Sequence, residues 1–450
     1  MINFSDLTFI FRFLPVFLIV YYLTPIEFRM FTLLVGSLTF YAIGDLRLFP
    51  VLLGAVFVNF LFARAIHSGT RKKLLLAFIV FVDAVMLIEF KALSQFVDSS
   101  LMPIGISFYT FKMISFQADV YLGKVKDKPK FIDTAAYFTM FPQVVSGPIM
   151  RFSDFERHRE NRTILEIFER IEDGLKFFTV GLGMKALLAD HLAMLWKDIG
   201  TIGYESISTP LAWLGAVTYS LELYMDFWGY SLMAAGVGVM LGFPFIVNFD
   251  HPYSSGTIAE FYRRWHATLG SWFRDYIYIP LGGSRKGNFR TILNLLVVWA
   301  ITGFWHGITL NFILWGMVIC FIIICEKYIV GRLPGFLKWI IGKINVLVLI
   351  PLTWVIFAIS DFQLLITYFK RLFPFFGEGI AVNPNDFAKN VGIYGVILAI
   401  AIVLLIPKVY EFFENHRRNF FVTILVFVLF WACVYSLANA AGNPFMYFRF

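Results

Sequence analysis

Apolar runs of about the length needed to cross a bilayer recur from one end of this chain to the other. The hydrocarbon core takes about 20 helical residues to span, and Val391–Ile406 and Phe421–Leu437 approach that length without a charge. A membrane β-barrel would show short stretches of alternating polarity instead. The chain therefore reads as an all-α integral membrane protein, a polytopic helical bundle. Its composition, 59% hydrophobic and 15% charged over 450 residues, leaves too little polar surface to solvate a water-soluble fold.

Candidate spans lie near residues 7–23, 30–45, 49–66, 73–92, 101–121, 176–196, 210–243, 291–326, 338–359, 391–407 and 419–438, or roughly 11 crossings or more by the length rule. Two of them exceed one crossing. The 210–243 stretch is expected to be a broken or paired helix, and 291–326 to be two helices hinged around Gly303-Phe304-Trp305-His306-Gly307, where glycine lets the backbone turn. The 134–148 run is too short to span and precedes the charged stretch Arg157–Arg162, which predicts a re-entrant or interfacial segment. The first run lacks a basic start and a small-residue cleavage site, so a retained helix is expected there. With no repeat of 20 to 50 residues, residues 1–450 read as a single domain.

The formal charge is +8, but the basic residues gather in loops beside apolar runs. That distribution orients a membrane protein and does not suit nucleic acid. Placing Arg71-Lys72-Lys73, Lys124 to Lys130, Arg263 to Arg290 and Arg417-Arg418 on the cytoplasmic side threads the spans with both termini outside. Cys320, Cys325 and Cys433 sit in apolar runs without ligand spacing, so neither a disulfide framework nor a metal centre is expected.

Polar, aromatic and basic residues concentrate in Glu260–Gly287. As a spanning helix this segment would carry Arg263, Arg264, Arg274 and Asp275 into lipid, so it is expected at the cytoplasmic interface, with Trp265, Trp272, Tyr276 and Tyr278 at headgroup level. Alone it reads as an interfacial amphipathic helix. Two histidines add chemistry: His266 lies within it, and His306 lies in the apolar hinge AITGFWHGITL, where an ionisable group is costly and normally faces a polar cavity. Either could be a packed, neutral side chain. A neutral imidazole is also a general base suited to taking a proton from a hydroxyl near neutral pH.

The sequence RRWHATLGSWFRDYIYIPLGG (Arg263–Gly283) followed by GFWHG (Gly303–Gly307) resembles the signature of the membrane-bound O-acyltransferase superfamily. Met102–Phe111, Pro142–Arg151 and Asp226–Phe243 are similar to segments of its bacterial alginate and peptidoglycan O-acetyltransferase branch. The resemblance implies re-entrant and interfacial helices around a central funnel or tunnel, with acetyl-CoA entering from the cytoplasm as donor and no metal or redox cofactor. His306 matches the family's signature histidine and His266 the second histidine of the branch. Arg151, Asp226, Arg263, Arg264 and Arg274 fall within matching motifs as supporting polar residues, Asp226 being equally a helix-packing carboxylate. Arg285, Lys286 and Arg290 suit the phosphates of CoA, though membrane orientation alone would place the same charges there.

The aromatic tail AGNPFMYFRF resembles a tyrosine motif of envelope acylation systems. Tyr447 is then an acyl carrier, or else part of an interfacial anchor. A phenyl ester is an activated one, because phenoxide leaves more readily than an alkoxide. The implied acceptor is a cell-envelope polysaccharide, alginate-like or peptidoglycan, reached through a periplasmic or extracellular acetyltransferase partner from the bacterial inner membrane. Trp354-Val355-Ile356-Phe357-Ala358 lacks the arginine that follows the corresponding motif in many relatives, a departure that weakens assignment to the alginate subgroup proper. Two alternatives stand beside this reading: D-alanyl transfer to teichoic acid, and a transporter of polysaccharide or lipid-linked glycan, which internal inverted repeats would favour.

Overall fold

The computed structural model describes residues 3–144, 147–156, 162–373, 375 and 383–439, and among these there is no β-strand. The chain falls into two compact units, Met1–Leu182 with Tyr230–Val247 and Leu425–Arg449, and Gly183–Gly229 with Asn248–Ile424. Among the described residues, seven helices are long and apolar enough to cross a membrane: Ile26–Gly44, Phe49–Ser68, Ile164–Ile202, Leu310–Arg332, Gly335–Ala358, Asp386–Val403 and Phe420–Asn439.

In the first unit the helices are α1 (Phe9–Leu23), α2 (Arg29–Gly44), α3 (Phe49–Ser68), α4 (Lys72–Phe96), α5 (Ile106–Tyr121), α6 (Phe131–Thr139) and α7 (Ile164–Gly183). Phe9, Phe13 and Phe17 recur every four residues and so share one face of α1, where Phe13 and Phe17 meet Phe141 at ring separations of 5.4 and 5.1 Å. Helix α5 is buried along nearly its whole length and brings polar side chains inside. Gln117 donates to Asn59 Oδ1 at 2.9 Å, Asn59 donates to Asp83 at 2.8 Å, and Lys112 donates to the Tyr137 carbonyl at 2.8 Å. Residues 134–139 of α6 are all buried.

The second unit contains α8 (Asp190–Ile202), most of α9 (Thr209–Met240), α10 (Ile258–Arg264), α11 (Ala267–Phe273), α12 (Asn288–His306), α13 (Leu310–Tyr328), α14 (Gly335–Ile344), α15 (Ile350–Ala358), α16 (Phe362–Leu372), α17 (Asp386–Val403) and α18 (Pro407–His416). The last helix is α19 (Phe420–Asn439). Helix α9 is one unbroken rod of 32 residues, not the broken or paired helix its length suggested. Its buried Asp226 is met by a cation: Lys185 Nζ lies 2.9 Å from Asp226 and 2.7 Å from Asp190 of α8. Helices α12 and α13 form the expected hairpin, separated at Gly307. They cross closely at Gly303 and Gly316, where a Cβ on Gly316 would stand 2.6 Å from the Trp299 carbonyl.

The apolar patterning suggested more crossings than these seven. Helices are present at the other places, but α4 buries Asp83 and Lys91, α5 buries Lys112, Gln117 and Asp119, and α9 buries Glu222 and Asp226. These polar groups lower the hydropathy of segments whose partners are protein.

Candidate active site

Local chemistry dictates how His266 is presented. Thr257 is the N-cap of α10 and accepts from the Glu260 N–H at 3.0 Å, while Glu260 reaches back to the Gly256 N–H at 2.9 Å, a close variant of the capping box. Glu326, from α13, adds a second cap: both its carboxylate oxygens accept from the Ile258 N–H at 2.9 Å, and one also accepts from Asn345 Nδ2 at 2.9 Å. Helix α10 stops at Trp265. His266 then takes a left-handed backbone, φ 45°, and α11 departs from it. The bend is clasped by the segment before α10, where the Asp250 N–H donates to the Arg264 carbonyl at 3.0 Å and the Ala267 N–H to the Asn248 carbonyl at 2.8 Å.

The His266 ring is 3% exposed, with Nδ1 2.9 Å from Asn248 Oδ1 and the Phe227 ring edge-on at 4.8 Å. Burial pushes its pKa down to about 3, so the imidazole is neutral at physiological pH.

His306 ends α12 and is 6% exposed. Its walls are aromatic: Trp305 at 4.4 Å, Phe357 at 5.0 Å, Trp315 at 5.1 Å and Phe312 at 6.3 Å between ring centroids. Asn311 holds the turn after it, donating to the Phe357 carbonyl at 2.9 Å and accepting from Thr309 Oγ1 at 2.6 Å. Ring contacts run from one histidine toward the other. Trp265, next to His266, meets Trp354 at 5.0 Å, Trp354 meets Trp315 at 5.5 Å, and Trp315 meets His306. Two buried imidazoles in one aromatic layer are equipped for proton transfer to and from a bound group, in surroundings that weaken competing hydration.

Residues 33–360, which include both histidines, match the model of the membrane-bound O-acyltransferase family. The chain belongs to this family. A probable alginate O-acetylase of Pseudomonas putida is 33% identical over 99% of this chain and 100% of its own length. A peptidoglycan O-acetyltransferase of Helicobacter pylori is 31% identical over 70% of this chain and 68% of its own. A teichoic acid D-alanyltransferase of Bacillus subtilis is 26% identical over 52% and 60%, respectively. The protein is thus a membrane-bound O-acyltransferase, all-helical and multi-pass.

The remaining candidate residues of this acyltransferase are more scattered. Asp226 is ion-paired with Lys185. Arg264 pairs with Glu260 at 2.7 Å and donates to Ser254 at 2.9 Å, while Arg274 pairs with Asp275 at 2.8 Å. Arg263, Arg285, Lys286 and Arg290 are exposed, Arg290 donating to the Leu281 carbonyl at 3.0 Å. Arg151 belongs to the first unit, and Tyr447 lies outside the described residues. Trp265 and Trp272 are 5% and 4% exposed, so they are core rather than headgroup anchors. Trp265 packs on Trp354, and Trp272 on Phe273 and Tyr276.

Sequence reasoning passed over Asn248, Glu326 and Lys185, which fix the geometry described above. None of these three carries a readable local signal; the capping residues Thr257 and Glu260 do, in the spacing T-x-x-E ahead of an apolar turn. No group of three or more metal-ligating side chains occurs among the described residues.

Proposed function

We propose that this protein transfers an acetyl group from cytosolic acetyl-CoA to a hydroxyl, serving O-acetylation of a cell-envelope polysaccharide. The observation that carries the reading is the pair of buried histidines joined by one aromatic layer inside the family-matched region. The relatives named for alginate and peptidoglycan O-acetylation, at 33% and 31% identity, support the acyl group and the acceptor class.

In this mechanism His306 takes the proton of the acceptor hydroxyl as its oxygen bonds to the thioester carbonyl carbon. The carbon–sulfur bond then breaks, and the CoA thiolate leaves and recovers the proton. His266, between α10 and α11, positions the thioester or helps stabilise the charge developing at its carbonyl. Arg285, Lys286 and Arg290 are exposed and cationic, as phosphate contacts for CoA must be. The acetyl group passes through a funnel between the helices. Tyr447 carries it as a phenyl ester to a periplasmic acetyltransferase, in an inner-membrane protein with both termini outside.

The test is transfer of radiolabel from acetyl-CoA to purified protein in lipid, comparing wild type, His306→Ala and Tyr447→Phe. Labelled wild type with both variants unlabelled is the expected result. Label that survives Tyr447→Phe but needs His306 removes the carrier and keeps the acyltransferase. No turnover of acetyl-CoA even with polymer and partner supplied refutes the donor.

A further inference from the structure

We infer that Asn248 is a positioning residue that locks His266 as the tautomer protonated on Nδ1, so that Nε2 bears the lone pair. The inference rests on the acyltransferase reading above and revises the part played by its second histidine.

The argument turns on one atom. Side-chain amide oxygen and nitrogen are usually assigned from their surroundings rather than seen. Here the surroundings decide. The Thr268 backbone N–H, which can only donate, points at the same Asn248 atom at 3.3 Å, and Thr268 Oγ1 donates to it at 2.8 Å. That atom must therefore be the carbonyl oxygen Oδ1, and an oxygen of this kind cannot donate. His266 Nδ1, 2.9 Å away, must then be the donor and carry the hydrogen. Because burial keeps the ring neutral, the other nitrogen bears the lone pair.

Asn248 is itself 3% exposed and is held in place by its own backbone, whose carbonyl receives the Ala267 N–H. The left-handed backbone at His266 fixes the ring's exit direction as well. The nearby charges are directed elsewhere: Arg264 to Glu260, the Asp250 side chain 63% exposed, and Arg263 exposed. A carboxylate in place of Asn248 would hold the same hydrogen but favour imidazolium; the amide orients without charging.

An acceptor Nε2 cannot stabilise negative charge on the thioester carbonyl oxygen, which needs a donor.

The experiment is ¹⁵N NMR of histidine-labelled protein in nanodiscs, with His266→Asn as the assignment blank, followed by kinetics of label transfer. Wild type is expected to show His266 protonated on Nδ1 and unprotonated on Nε2 from pH 5 to 8. Asn248→Ala should give a mixture of tautomers. Asn248→Asp, which keeps both Thr268 bonds and hence the fold, should bring His266 titration up into that window. Protonation on Nε2 in wild type, an unchanged tautomer in Asn248→Ala, or no titration in Asn248→Asp would each overturn the inference. These signals need no turnover, so they stand or fall separately from acetyl transfer. In the kinetics, Asn248→Ala should lose at least 10-fold in kcat, and an unchanged kcat with a scrambled tautomer would overturn the positioning role.

Discussion

Replacing Glu326 should loosen the helix that presents His266. Its carboxylate sits at the N-terminus of α10, 8% exposed, accepting from the Ile258 N–H, more weakly from the Ala259 N–H at 3.4 Å, and from Asn345 Nδ2. Glu326→Ala strands two strong donors, each worth about 1–3 kcal/mol when buried without a partner. It also removes a negative charge from a helix N-terminus, worth up to about 2 kcal/mol when partly buried. Together these give a loss on the order of 3–6 kcal/mol. Glu326→Gln keeps one acceptor for Ile258, and its amide N–H is met if the Asn345 amide turns over, so its loss should be about 1–2 kcal/mol. Thermal unfolding in nanodiscs should rank wild type above Gln above Ala. Hydrogen exchange should show protection lost first in residues 258–264. If the alanine variant melts with wild type, or if glutamine is as damaging as alanine, the double cap is not what holds α10.

Three other outcomes follow from the packing and the charges. Gly316→Ala should destabilise the α12–α13 hairpin by about 1–3 kcal/mol, because its Cβ would lie 2.6 Å from the Trp299 carbonyl; Gly392→Ala, with open space around it, should be neutral or slightly stabilising in the same melt. Lys185→Met leaves Asp190 and Asp226 without their shared cation and should cost about 3–5 kcal/mol, of which the double variant Lys185→Met with Asp226→Asn should recover part in the unfolding assay. His266 has a folded pKa near 3, below the ordinary value of about 6.5. The unfolded chain therefore takes up a proton that the folded one refuses, and stability present above pH 6.5 falls by about 1.4 kcal/mol per unit as pH drops toward 3; His266→Asn should flatten that slope in melts taken between pH 7 and 4.

The helical membrane class was legible because it depends only on the length of apolar runs, and the hinge before α13 because glycines flank His306 in an otherwise apolar stretch. Both histidines were recognisable for a related reason: ionisable side chains stand out against such surroundings. What could not be read is pairing across sequence distance. Lys185 meets the buried Asp226 of α9, yet they are 41 positions apart, and nothing in either neighbourhood signals the other. Asn248 and Glu326 act on α10 from outside the segment that looked functional. Trp265 and Trp272 have the residue type of headgroup anchors, and only tertiary contact shows them turned inward.

Among the described residues, the non-glycine positions with a left-handed backbone are His251 and His266. This determines which substitutions make fair probes. An alanine at 266 must hold a left-handed backbone that histidine tolerates better, in addition to losing the ring, whereas an alanine at 306, at the end of an ordinary helix, meets no such demand. Equal losses of activity from the two alanine variants would thus not mean equal chemical contributions. Asparagine, which tolerates the left-handed region, separates the two effects at 266, and random libraries should recover folded protein there with asparagine or glycine more often than with any β-branched residue.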